Sequence, residues 1–201
     1  FRFGDGIAQL ANAVLRNHVQ TDARVRGLVD LPSTIGALAC PRATLARSNC
    51  GLIGALIPAA LDAPASCGVV GGVDDLIRLI QGAEGLMRGQ RTKVAELAEF
   101  HSWPAVLEAS KQVSHRHLSV LVSLVTQYGC AFLLRILESV RGNERDESRC
   151  TRLFSTAHKA KGREFDSIVL EDDFVARPGA PDANSSWTPE ESHLLYVAIT
   201  R

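Results

Sequence analysis

The stretch FSTAHKAKGREFDSIVLEDDF, residues 154–174, joins two apolar runs through a basic turn and ends on three carboxylates. The pattern predicts a strand over 151–156, a turn over 158–164 and a second buried strand over 167–171. His158, Lys159, Lys161 and Arg163 crowd positive or titratable groups onto the turn, and Gly162 permits a positive φ or a close approach. Such a turn suits phosphate oxygens; it equally reads as a solvated basic turn with a structural glycine. The second run, SIVLEDDF, has the outline of a magnesium-binding strand, but no G-x-x-x-x-G-K-[ST] occurs in the chain, so no phosphate cradle accompanies it. The plainer expectation is a buried strand whose Glu171, Asp172 and Asp173 emerge at its solvent end.

Upstream, strands and helices alternate. Asp5 is expected to cap a helix with Ile7, Leu10, Ala11, Val14 and Leu15 on one face. ATLARSN (43–49) reads as a buried strand with a polar end, and LIGALIPAALD (52–62) as a helix kinked or ended near Pro58. CGVVGG (67–72) predicts a short strand and 74–88 a helix. From 91 to 142 the pattern is helical throughout: KVAELAEF, 104–111, HLSVLVSLVTQY, and AFLLRILESVRG closed by Gly142. GNERDESR (142–149) reads as a surface linker, and 176–187 as an exposed loop. Thr188, Pro189 and Glu191 then form the start of a final helix with a capping box, presenting Leu194, Leu195, Val197 and Ala198 to a core. The fold expected is α/β: a parallel sheet with covering helices over 1–90 and 149–201, interrupted by a small helical insertion over 91–148.

Composition narrows the functional classes. The 201 residues carry 22 Lys and Arg against 22 Asp and Glu, so no global field draws the chain to nucleic acid, and any such role needs a local patch. Five cysteines without a C-x-x-C pair are expected to be reduced and mostly buried, as in a cytosolic protein. The six histidines do not fall at ligand spacing with them, so no metal site is expected. No run of about 18 apolar residues marks a membrane span. Trp103 and Trp187 are of a type that stacks on bases, but a tryptophan beside a helix start usually packs. The chain opens on Phe1 and its one methionine is Met87, which predicts a piece of a longer protein.

FRFGDGIAQLANAVL (1–15), LARSN (45–49), VVGG (69–72), the opening stretch and EESHLLYVAITR (190–201) occur in that order. Together they resemble the C-terminal RecA-like lobe of a UvrD-type superfamily 1 DNA helicase, most closely the F-box DNA helicase branch and its bacterial relatives. The resemblance implies an ATP-dependent 3′-to-5′ helicase or translocase in which two RecA-like lobes close on ATP with Mg²⁺ and ratchet along single-stranded DNA. It implies Arg2 and Arg201 as charge-stabilising arginines at the γ-phosphate, and Glu164, after Gly162, as the carboxylate on the nucleotide ribose. It implies DNA contacts from Arg47, Asn49, Thr156 and His158. The phosphate cradle would come from an N-terminal lobe of the same parent protein, so this stretch alone is expected to be inactive. Location would be cytoplasmic and nucleoid-associated in a bacterium, or nuclear in a eukaryote. Arg163 stands where the family has leucine, and the helical insertion is much shorter than the 2B subdomain of UvrD. The alternative is a helicase-derived module that binds single-stranded DNA or a protein without turnover.

Overall fold

The computed structural model describes residues 3–19, 21–112, 115–174 and 188–201. Its strands are β1 (Ala43–Ala46), β2 (Cys67–Val69), β3 (Arg152–Thr156) and β4 (Ile168–Leu170), paired in the order β2-β3-β1-β4, all parallel. Its helices are α1 (Asp5–Val14, extended by a wider turn over Leu15–Val19), α2 (Asn49–Asp62), α3 (Asp74–Met87), α4 (Trp103–Ala109), α5 (Arg116–Tyr128), α6 (Cys130–Val140) and α7 (Pro189–Ile199). This is an α/β parallel-sheet architecture of the RecA-like kind, with α4–α6 between α3 and β3.

The two-residue period of the strands sorts side chains onto two faces. Phe154 and Ala46 face a core made with α2, α3 and the helices beyond them. Ala43, Leu45 and Leu153 face a second core with Leu194 and Ala198 of α7 and Phe174. β1 is buried along its whole length, as a central parallel strand must be. β4 was expected to be buried too, yet its three residues are only half-buried, because β1 is its one partner among the described residues. Outside α7 lies α1, joined through Phe3, Ala8, Ala11, Val14 and Ile199.

Helices α4–α6 form a layer on α2 and α3. Leu118, Leu121, Leu133 and Leu137 are fully buried in the same core as Leu56, Leu76 and Ile80. α5 and α6 meet at 102° about Gly129, whose φ of +74° supplies the corner. No helix among the described residues is long and apolar enough to cross a membrane.

Several local expectations need correction. Gly4, not Asp5, is the N-cap of α1; a Cβ at Gly4 would lie 1.9 Å from the Leu31 carbonyl oxygen, and Asp5 instead puts its charge in the first turn. α2 runs through Pro58, because burial of Ile53, Leu56, Ile57 and Ala60 around it outweighs the missing hydrogen bond. KVAELAEF is not a helix: Leu97 N–H reaches Val94 O at 2.9 Å and Phe100 N–H reaches Leu97 O at 3.1 Å, two successive tight turns that still bury Leu97. The 142–149 linker is pinned, since Asn143 Nδ2 donates to the carbonyls of Pro64 (3.0 Å) and Cys67 (2.8 Å). The expected loop over 176–187, Trp187 included, lies outside the described residues. Cys50, Cys67, Cys130 and Cys150 are buried free thiols, each pushed above the usual thiol range by that burial, while Cys40 is exposed.

Because the helical layer and the sheet share one core, Leu121→Ala should destabilise both together, by about 2–5 kcal/mol. Circular dichroism and tryptophan fluorescence should then report one coincident melting transition, shifted down by roughly 4–20 °C. Two separated transitions would show the layer to be an independent unit.

Candidate functional site

In a parallel sheet all strands end on one edge, and there the backbone can present groups to a ligand. Along that edge lie, in sheet order, the Gly71–Gly72 turn after β2, the basic turn after β3, Arg47–Asn49 after β1, and Glu171–Asp173 after β4. Four stretches distant in sequence thus become neighbours.

The β1 end is the most constrained. Asp173 lays its carboxylate against the start of α2, accepting from Arg47 N–H at 2.8 Å, Ser48 N–H at 2.9 Å and Ser48 Oγ at 2.9 Å. Ser48 Oγ caps the helix through Gly51 N–H at 3.0 Å. A Cβ at Gly51 would sit 2.1 Å from Asp173 Oδ2, so this seat exists only over glycine. The three terminal carboxylates therefore do not all emerge into solvent. Asp173 locks a turn, while Glu171 is half-buried and its acid is pushed above the usual carboxylate range by burial and by Asp173 and Asp172.

Both candidate DNA contacts on this turn have carboxylate partners. Arg47 Nη2 lies 2.6 Å from Glu191 Oε1, and Asn49 Nδ2 donates to Glu96 Oε1 at 2.6 Å. Glu191 also completes the capping box of α7, accepting from Thr188 N–H at 3.0 Å through Oε2. Burial opposes its ionisation, but the Thr188 hydrogen bond and Arg47 together hold its acid below the usual range. Of the candidates on the β3 turn, Thr156 is 6% exposed and its Oγ1 accepts from Lys159 N–H at 3.4 Å, whereas His158 is exposed. The cations of the turn part company: Lys159 reaches back to Asp75 in the first turn of α3 at 2.8 Å, and Arg163 Nη1 grips both oxygens of Glu147 at 2.8 and 2.7 Å. Trp103 is buried in the helical core and offers no face for a base.

The nucleotide candidates lie on the opposite edge, where the chain prepares to enter β4. Gly162 has φ +83°, and a Cβ there would meet nothing within 4 Å, so the glycine serves conformation and not close approach. Glu164 borders an open cleft of about 350 Å³ lined also by Arg42, Glu147, Leu153, Arg163, Phe165 and Asp166. Phe165 N–H donates to the Arg201 carbonyl at 2.9 Å, which brings the segments carrying Glu164 and Arg201 together. The Arg201 guanidinium turns back on its own helix, donating to Val197 O at 3.0 Å and Thr200 Oγ1 at 3.3 Å. Arg2 lies outside the described residues.

Sequence reasoning singled out the candidates and missed their partners. Glu191 was read only as a capping residue, and Glu96, Glu147 and Asp75 not at all. A carboxylate in a first helical turn is a local signal, but its pairing with an arginine 144 positions away leaves none.

Comparison with known proteins gives two similarities. The chain is 26% identical over 223 aligned positions to F-box DNA helicase protein 1 of Schizosaccharomyces pombe, a match covering all of this chain and 25% of that protein. It is 43% identical over 63 positions to F-box DNA helicase 1 of Gallus gallus, covering 27% of this chain and 6% of that protein. The chain thus spans about a quarter of the length of the first of these relatives. No protein-family model and no solved structure matches it. The two similarities support a relationship to DNA helicases.

Two stability outcomes follow from the β1–β4 junction. Gly51→Ala should cost about 1–3 kcal/mol by overpacking, and much less in an Asp173→Ala background, as a double-mutant cycle in urea would measure. Glu171 holds its proton more tightly when folded than its ordinary value of 4.5. Its contribution is therefore fully favourable below that value and is lost as pH rises through the raised folded value. Glu171→Gln should raise Tm at pH 7 and leave it unchanged below pH 4.5, as scanning calorimetry across pH would record.

Proposed function

We propose that this chain is the second motor lobe of an ATP-dependent DNA helicase or translocase of the UvrD type, moving 3′ to 5′ on single-stranded DNA. The observation that carries this is the placing of two candidate groups on opposite edges of one sheet, with two short direct links between them. The 157–167 segment runs from the end of β3 to the start of β4, from Thr156 past Glu164. α7, about 16 Å long, carries Glu191 beside Arg47 in its first turn and ends two residues before Arg201, which lies beside Phe165. A phosphate gripped at one edge is thereby tied to a nucleotide held at the other, as a ratchet requires. The similarity of the whole chain to F-box DNA helicase protein 1 supports the same assignment.

The residues present fit half of a nucleotide site. Glu164 beside an open polar cleft suits ribose hydroxyls, Gly162 shapes its turn, and Arg201, with Arg2, suits the charge of a γ-phosphate. The chain contains no phosphate cradle, so that and the magnesium carboxylates belong to an N-terminal RecA-like lobe of the same parent protein. ATP with Mg²⁺, when bound, would supply the phosphoryl-transfer chemistry; Arg201 and Arg2 would stabilise its developing charge and Glu164 would hold the ribose. At the other edge Arg47, Asn49 and His158 receive the DNA backbone, and the buried Thr156 shapes the turn beneath them. A helicase-derived binding module without turnover is favoured instead by one feature, the Arg201 guanidinium folded onto its own helix end.

Arg201→Lys separates these readings in a parent protein that carries the cradle. For a motor lobe, turnover measured by phosphate release should fall by about 10²–10⁴. Single-stranded DNA binding should persist, with a log-affinity against log-salt slope of about 1–3. Lysine serves equally well as a helix cap, so turnover within twofold of wild type makes Arg201 a cap and not a charge-stabilising arginine, and turnover in neither protein identifies the binding module.

A further inference from the structure

Of the three polar side chains that follow β1 at the proposed DNA edge, Ser48 caps α2, while Arg47 and Asn49 are each held by a carboxylate from a different element. Glu191 comes from the first turn of α7 and Glu96 from the turns that precede α4. A carboxylate and a phosphodiester offer an arginine or an amide the same thing, anionic oxygens within hydrogen-bonding distance. Resting on the reading that this edge receives DNA, we propose that Glu191 and Glu96 are internal stand-ins for backbone phosphates. Single-stranded DNA then binds Arg47 and Asn49 by displacing them.

The Arg47–Glu191 pair is suited to exchange. Its side chains are 40% and 34% exposed, so an incoming phosphate can approach, and a pair so open to water is held by only a small net free energy. The backbone beneath does not need to move: Asp173 fixes Arg47 N–H and Ser48 N–H whichever anion the side chain holds. Glu191 uses its two oxygens separately, Oε1 for Arg47 and Oε2 for Thr188 N–H. Loss of Arg47 therefore leaves the α7 cap in place but removes the ion pair between α7 and β1. DNA on one edge would loosen the start of the helix that leads into Arg201, beside Phe165 on the other.

The chemistry supplies a clean variant. Glutamine is as good a capping-box partner as glutamate, so Glu191→Gln retains the Thr188 bond while replacing the anion that Arg47 sees with a neutral group. Binding of a fluorescein-labelled single-stranded oligothymidylate to the 201-residue chain, read by anisotropy at low salt, should tighten about three- to fivefold. Glu96→Gln should tighten it about twofold. Glu190→Gln removes the same charge one residue away and should give less than half the Glu191→Gln gain, and Arg47→Ala should abolish that gain. Equal effects of Glu190→Gln and Glu191→Gln, or a gain that survives Arg47→Ala, would overturn the displacement mechanism. Wild-type binding that Glu191→Gln leaves unchanged would overturn the mechanism alone. Absence of binding by wild type and every variant would overturn the DNA reading beneath it. Melting curves that coincide for wild type and Glu191→Gln confirm that the fold is equally intact.

Discussion

One carboxylate organises the working edge of the sheet. Asp173 neutralises the N–H groups of Arg47 and Ser48 and the Ser48 hydroxyl, and so joins the end of β4 to the start of α2. Those donors would otherwise point at solvent or at one another's partial charge. With Asp173 seated, the backbone of the 47–49 turn is held, and only side chains beyond it are left to respond to a ligand. Gly51 is the complement of this arrangement, since any side chain there would fill the space that the carboxylate takes. Phe174, the next residue, enters the core beneath α7, so the same short turn fixes the β4 end to both layers.

Charge at both edges of the sheet is balanced locally. Lys159 with Asp75, Arg163 with Glu147 and Arg47 with Glu191 each bridge separate elements. A chain with equal numbers of acidic and basic groups can thus carry a cationic edge without a cationic surface. Arg163 illustrates the principle. In the position where the resembling family has an apolar leucine, it makes the contact to the 143–149 segment through charge and hydrogen bonds, closing one side of the cleft next to Glu164.

What could be read from sequence was governed by how local the determining physics is. The α7 capping box depends on Thr188, Pro189 and Glu191 alone and was legible as written. The buried parallel strands were legible as apolar runs, because β1 and β3 are covered on both faces. The 93–100 stretch misled because Val94, Leu97 and Phe100 recur every three residues, a spacing that consecutive tight turns satisfy as well as a helix does. Pro58 does not end α2, because its local cost is offset by burial against side chains from α5 and α6, which no local pattern reports. At the site, the residues that bear the chemistry could be picked out by type and motif. Their geometry could not, because Arg47 to Glu191, Asn49 to Glu96 and Arg47 to Asp173 are all pairings across the fold.

Between α1 and β1 the chain forms no helix or strand over its described residues, and Leu28, Val29, Leu31, Ile35 and Leu38 stand exposed on it, Val29 at 93%. Its attachment is specific. The Asn12 side-chain amide both donates to Val25 O and accepts from Val25 N–H, each at 2.9 Å, presenting to Val25 the two bonds that a neighbouring strand would. Leu28 N–H and Phe3 O add a third rung at 2.8 Å. Every one of these tethers leads to α1 or the residues just before it, and none to the sheet. The tethered part of this oily strap is therefore luggage of α1: a tilt of that helix against α7 would carry Leu28, Val29 and Leu31 across the surface with it.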